Sequence, residues 1–150
     1  MDYAATTFIN ENVLSEMLPF ITGNFGNPSS IYSLSSINKI AIDKSRKNLA
    51  DAINCSREEI YFTGNGTEAD NWAIKGCALA NIDKGNHIIT SCIEHHAVLH
   101  SCEYLEKHGF EVTYLPVDNE GNISIDTLKA SIKESTILVS IMTRSEEHTS

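Results

Sequence analysis

An α/β fold built on a mostly parallel sheet with flanking helices is predicted by two observations in this chain. Short apolar, β-branched runs recur between Ile60 and Ile141, and each is separated from the next by a longer segment of helical period. The turn Thr63–Gly64–Asn65–Gly66–Thr67 joins the first run directly to a helix start, as βαβ units do.

Taken in order, Asn12 to Phe20 reads as a short helix, and Phe25–Gly26–Asn27–Pro28–Ser29–Ser30 as a loop by its Gly, Asn, Pro and Ser content. From about Ser35 the positions Ile37, Ala41, Ser45, Leu49 and Ile53, with Ile40 and Ala52 beside them, mark the stripe of a long amphipathic helix. Ile60–Tyr61–Phe62 is the expected first core strand. The next helix is expected to bury Trp72, Ala73, Gly76, Cys77 and Ala80. His87 to Thr90 then reads as a strand, Val98 to Lys107 as a helix, Val112 to Leu115 as a strand, Thr127 to Lys133 as a helix and Ile137 to Ile141 as a strand. Such alternation implies right-handed crossovers and ligands at the carboxyl ends of the strands.

With 150 residues, 41% of them hydrophobic, the chain is sized for one globular domain or part of one. Eleven Lys and Arg against twenty Asp and Glu give a net charge of −9, which argues against direct nucleic-acid binding. No stretch is long and apolar enough to span a bilayer, so no membrane partner is expected. The start, Met1–Asp2–Tyr3–Ala4, lacks the basic and apolar regions of a secretory signal, and a cytoplasmic location is expected. Cys55, Cys77, Cys92 and Cys102 have no CxxC spacing and read as reduced, mostly structural thiols.

Chemistry is expected just after the strands. Gly64 and Gly66 suit a turn that needs positive φ or close backbone approach, and Thr67 places a hydroxyl where the helix begins. The unpaired N–H groups of a first helical turn and the positive end of its dipole suit a phosphate. After the second run, Ser91–Cys92–Ile93–Glu94–His95–His96 sets the imidazole of His95 near another helix start, where it can stack on a planar ring or move protons, with the helix N-terminus favouring its neutral form. His96 and His100, with Cys92 and Cys102 nearby, match no closed zinc spacing, and no metal is expected. Gly64-x-Gly66-x-x-Ala69 also fits the dinucleotide fingerprint, but the acidic residue that should close the following strand is replaced by Ser91 and Cys92. A nicotinamide-dependent oxidoreductase and a non-catalytic anion-binding module stay open on these residues alone.

Four segments in order carry a resemblance: Asp2–Tyr3–Ala4–Ala5–Thr6–Thr7, Phe25 to Ser30, Thr63 to Asn71 with Ala73–Ile74–Lys75–Gly76, and Glu94–His95–His96–Ala97–Val98–Leu99. Together they resemble the cysteine desulfurases, pyridoxal-phosphate enzymes of the class V aminotransferase group, from Met1 to about Met142. The resemblance implies part of the large domain of a fold type I enzyme. It implies conversion of L-cysteine to L-alanine, with the sulfur passed as an enzyme persulfide to an acceptor such as an iron–sulfur scaffold protein. Gly66 and Thr67 would hold the phosphate of pyridoxal 5'-phosphate, and His95 would stack over its ring and shuttle protons as the catalytic residue. Ala5, Thr6 and Asn27 would lie on the substrate side, near the interface of a homodimer. A selenocysteine lyase or another class V aminotransferase would share these motifs.

No lysine here stands in the Ser/Thr-x-His-Lys context where the family keeps its cofactor lysine. In a complete family member that lysine, the aspartate on the pyridinium nitrogen, the substrate arginine and the persulfide cysteine would come after residue 150, so the chain alone is expected to be inactive. The strand ending at Thr63 would likewise find its ladder partner later. Arg144 to Ser150 resembles translated sequencing-library adapter, which makes 1–142 the family segment and 143–150 a non-native tail. Tyr32 and Ser35 stand where the family often has histidine and glycine. Both lie in the loop leading to the long helix, where Tyr32 can keep a polar handle and Ser35 can act as an N-cap.

Overall fold

The computed structural model describes residues 7–143. They fall into two compact units that meet in sequence at Phe62 and Thr63. Ala5 and Thr6, and the segment from Arg144 to Ser150, lie outside the described residues.

In the first unit, helix α1 spans Glu11–Thr22 and starts at Asn10, whose side chain accepts the Asn12 N–H at 2.9 Å. Helix α2 spans Ser33–Ile53 and ends at Asn54, which takes the left-handed conformation (φ 57°) that asparagine tolerates. Its N-cap is Tyr32, which makes no side-chain capping bond; Ser35 lies inside the helix and is buried. Among the described side chains of α2, Ser35, Asn38 and Ala50 are buried, whereas Ile37, Ile40, Leu49 and Ile53 are exposed. The stripe expected from the sequence is thus rotated to the neighbouring face. Apolar residues on both sides of this helix left its period without a unique phase.

A 3-10 turn, Arg57–Glu59, follows with a capping box: the Glu59 carboxylate accepts the Ser56 N–H at 2.8 Å. Ile60–Tyr61–Phe62, the expected first strand, belongs to no strand among the described residues. Arg46 of α2 holds this segment instead. Its Nε donates to the Ile60 carbonyl at 3.3 Å, and its guanidinium carbon lies 5.3 Å from the centre of the Phe62 ring. β-propensity is a preference, but a strand exists only where a second backbone pairs with it.

The second unit carries helix α3 (Gly66–Ala80), strand β1 (His87–Ser91), helix α4 (His96–Glu106), strand β2 (Glu111–Leu115), helix α5 (Ile125–Ser131) and strand β3 (Thr136–Ser140). The sheet is parallel in the order β2-β1-β3. β1 is central and buried at every position, as expected for a strand covered on both faces. Ile74 and Ala78 of α3 pack with Ile88 of β1, with Val98, Cys102 and Leu105 of α4, and with Phe110. Trp72, Ala73 and Ala80, expected inside, are exposed, and Gly76 and Cys77 are half-buried. The sheet takes the Ile74–Ala78 side of α3, four residues apart on one face.

Candidate active site

Registers set the geometry. Ser91 pairs with Leu115 and Thr90 with Ser140, so all three strands end at one edge of the sheet. A cavity of about 490 Å³ opens there, lined by Gly66, Thr67 and Asp70 of α3, by Glu94, His95 and Val98 at the start of α4, and by Ser140, Ile141 and Met142 at the exit of β3. Its size lies in the range of small-molecule sites.

The α3 N-terminus is built by its own side chains. Asn65 is the N-cap and accepts the Glu68 N–H at 2.9 Å, while the Glu68 carboxylate reaches back to the Gly64 N–H at 2.6 Å. Thr63 donates its hydroxyl to the Asn65 carbonyl at 3.1 Å. This leaves the N–H groups of Gly66 and Thr67 without an acceptor inside the helix, at the positive end of its dipole. Of the two reasons for glycine in this turn, positive φ does not apply, since neither Gly64 nor Gly66 has it. What Gly66 provides is room, since no atom lies within 4 Å of where a Cβ would stand. Thr67 is the second residue of the helix, not its cap.

His95 is the N-cap of α4, and its Nδ1 accepts the Ala97 N–H at 3.0 Å. An Nδ1 that accepts carries no proton, so the neutral ring bears its proton on Nε2. The ring is half-buried. His96 meets His95 edge-on at 6.4 Å and stacks on His100 at 5.5 Å, and both are exposed. Among the described residues, no three His, Cys, Asp or Glu side chains gather as a metal site, and no helix is long and apolar enough to cross a membrane.

Three of the expected site residues, Gly66, Thr67 and His95, therefore line one cavity. Asn27 belongs to the other unit, where its side chain accepts the Ser29 N–H at 2.9 Å and shapes the turn. Ala5 and Thr6 lie outside the described residues. A larger apolar cavity of about 1000 Å³ in the first unit, walled by α1 and α2, contains none of these residues. Asp70 and Glu94 were not singled out from the sequence. The sequence shows Glu94 only as the residue before His95, and its lining of the cavity depends on the turn that follows β1. Asp70 and the two helix N–H groups share the α3 wall of the cavity, which suits a ligand that joins an anionic group to a cationic or hydrogen-donating part.

The parallel sheet and its helices are those of the large domain in fold type I enzymes, as structural likeness shows. The chain matches a structure named NIFS-LIKE PROTEIN with a TM-score of 0.92 and 38% identity, over 97% of this chain and 40% of that one. A structure named SspA in complex with cysteine matches with a TM-score of 0.86 and 38% identity, over 93% of this chain and 40% of that one. Residues 1–148 match the Aminotransferase class-V family, and the chain belongs to that family. It is 57% identical over 147 residues to cysteine desulfurase IscS of Clostridium botulinum, covering 98% of this chain and 37% of the relative. With cysteine desulfurase IscS of Methanosarcina thermophila it shares 58% identity over 147 residues, 98% of this chain and 36% of that relative. The chain thus spans little more than a third of the curated relatives it matches.

The residues at the cavity fit the phosphate and ring of pyridoxal 5'-phosphate. Two unclaimed N–H groups and the Thr67 hydroxyl stand at the α3 N-terminus, the space over Gly66 is open, and an imidazole lines the same cavity. The dinucleotide reading lacks its acidic residue, because β1 ends at Ser91 with no carboxylate in its last position.

Proposed function

We propose that this chain is the cofactor-phosphate side of a pyridoxal-phosphate-dependent cysteine desulfurase that converts L-cysteine to L-alanine and passes the sulfur to an acceptor protein such as an iron–sulfur scaffold. The observation that carries this reading is the joint lining of one cavity by Gly66, Thr67 and His95 at the carboxyl edge of the sheet. Relatives named as cysteine desulfurases and a similar structure named with bound cysteine support the substrate. A homodimer with Ala5, Thr6 and Asn27 on the substrate side belongs to the same reading and is supported by the sequence resemblance; a cytoplasmic location is proposed with it.

Bound in this cavity, pyridoxal phosphate supplies an electron sink for chemistry at the substrate's α-carbon. The Gly66 and Thr67 N–H groups and the Thr67 hydroxyl would hold the phosphate. The ring of His95 would cover the pyridine, with Nε2 as the atom that holds or gives up a proton. Val98 and Ile141 supply the apolar side chains of the lining, against which the ring would rest.

The test is titration of the chain with pyridoxine 5'-phosphate, which cannot attach to lysines, followed by backbone NMR. Saturable shifts at Gly66, Thr67 and His95, absent with unphosphorylated pyridoxine and weakened about tenfold by Thr67→Val, are expected. Equal response to both compounds would overturn the phosphate assignment. Release of alanine from L-cysteine by the complete gene product tests the reaction itself.

A further inference from the structure

Glu94 is the only buried carboxylate among the described residues, at 7% exposure, and none of the roles above uses it. Its Oε1 accepts two bonds, from the Ser91 hydroxyl at 2.6 Å and from the Met142 N–H at 2.8 Å. Ser91 is the last residue of β1, and Met142 lies just past the end of β3. The last paired residues of these two strands are Thr90 and Ser140. Beyond that pair the backbones have no ladder between them, and one side-chain oxygen takes its place. Glu94 also precedes His95, the cap of α4, and lines the same cavity.

Burial of a carboxylate is costly unless it is well bonded, and an apolar side chain would fill this position with less penalty. What an apolar residue cannot do is tie two strand exits to one turn. We propose that Glu94 is a positioning residue for the cavity. By accepting from Ser91 and Met142 it holds the β1–α4 turn against the exit of β3, and so sets where the His95 ring stands relative to the Gly66 and Thr67 N–H groups. The proposal rests on the reading of this cavity as the site of a phosphorylated cofactor. Its effect comes from the reach of a two-carbon side chain and an oxygen that accepts twice. Glutamine retains both features without the charge, whereas aspartate keeps the charge but is one methylene too short.

The experiment compares the full chain with Glu94→Gln and Glu94→Asp, by the ring ¹⁵N shifts of His95 and the Met142 amide without ligand, and by pyridoxine 5'-phosphate affinity. The Gln variant is expected to keep both sets of shifts near the parent's and to lose affinity by less than about threefold. The Asp variant is expected to move both and to weaken binding about tenfold. Parent-like shifts in the Asp variant, or a Gln variant as perturbed as the Asp one, would overturn the proposal. If the parent does not bind pyridoxine 5'-phosphate, the cofactor reading fails, while the unliganded shifts still decide the role of Glu94. Should the Asp variant lose its β1 amide signals altogether, Ser91→Ala removes one donor from the clamp. An unmoved His95 ring in that variant would also refute the proposal.

Discussion

His95, the cap of α4, and Cys102 sit about two turns apart along that helix and meet opposite environments. The His95 ring lies at the open N-terminus of the helix, where the Ala97 N–H selects its tautomer. Cys102 is fully buried among Ile74, Ile88 and Leu105, and burial, reinforced by the nearby carboxylates of Glu106, Glu94 and Glu103, pushes its thiol up to about 11. Cys92, just past β1, is exposed. Labelling of the native chain with iodoacetamide at pH 8, read by mass spectrometry, should therefore modify Cys92 first and spare Cys102 until denaturant is added. Equal labelling of the two in native buffer would mean that the α3–α4 core opens far more readily than its packing implies.

Among the elements, α3 depends most on its first turn. Asn65 supplies the cap, and Glu68 closes the loop back to Gly64. Asn65→Ala should lower stability by about 1 kcal/mol in urea titration. It should also weaken pyridoxine 5'-phosphate binding, because the Gly66 and Thr67 N–H groups lose the frame that aims them. An unchanged affinity would show that the backbone of this turn holds itself. A different constraint acts where the chain enters β1. A Cβ on Gly85 would stand 2.3 Å from the Ser135 carbonyl oxygen, which reaches across to accept the His87 N–H at 2.9 Å. Glycine there permits the approach that starts the β1–β3 pairing, beside the register irregularity between His87 and Ile88.

The sheet as a whole is fastened at its amino edge by His87. Its fully buried ring bonds Thr136 of β3 through Nδ1 at 2.7 Å and Thr113 of β2 through Nε2 at 2.8 Å. Burial holds its pKa below the ordinary 6.5, the Lys133 charge adds to this, and Glu111, paired with Lys133, opposes it. A histidine with a depressed folded pKa takes up its proton more readily in the unfolded chain. Its contribution to stability is complete above 6.5 and falls away as the pH drops through that value towards the lower folded pKa. The midpoint of thermal unfolding should thus decline between pH 7 and pH 5, with a shallower decline in His87→Gln. Identical slopes in the two proteins would place the acid sensitivity elsewhere.

Much of the architecture is local and could be read from residue order. The alternation of β-branched runs with helical segments specified β1, β2, β3 and their crossover helices to within a few residues, because side-chain period and turn chemistry act over short distances. The Gly66–Thr67 turn and His95 stood out for the same reason, each being tied to a helix start. Phase and pairing are not local. Whether α3 buries Trp72 or Ile74 depends on which face meets the sheet, and whether Ile60–Phe62 becomes a strand depends on a partner backbone. Glu94 belongs with these. Its part in the cavity exists only when β1 and β3 lie side by side, because the two donors it joins, Ser91 and Met142, are far apart along the chain and are brought within one carboxylate's reach by parallel pairing alone.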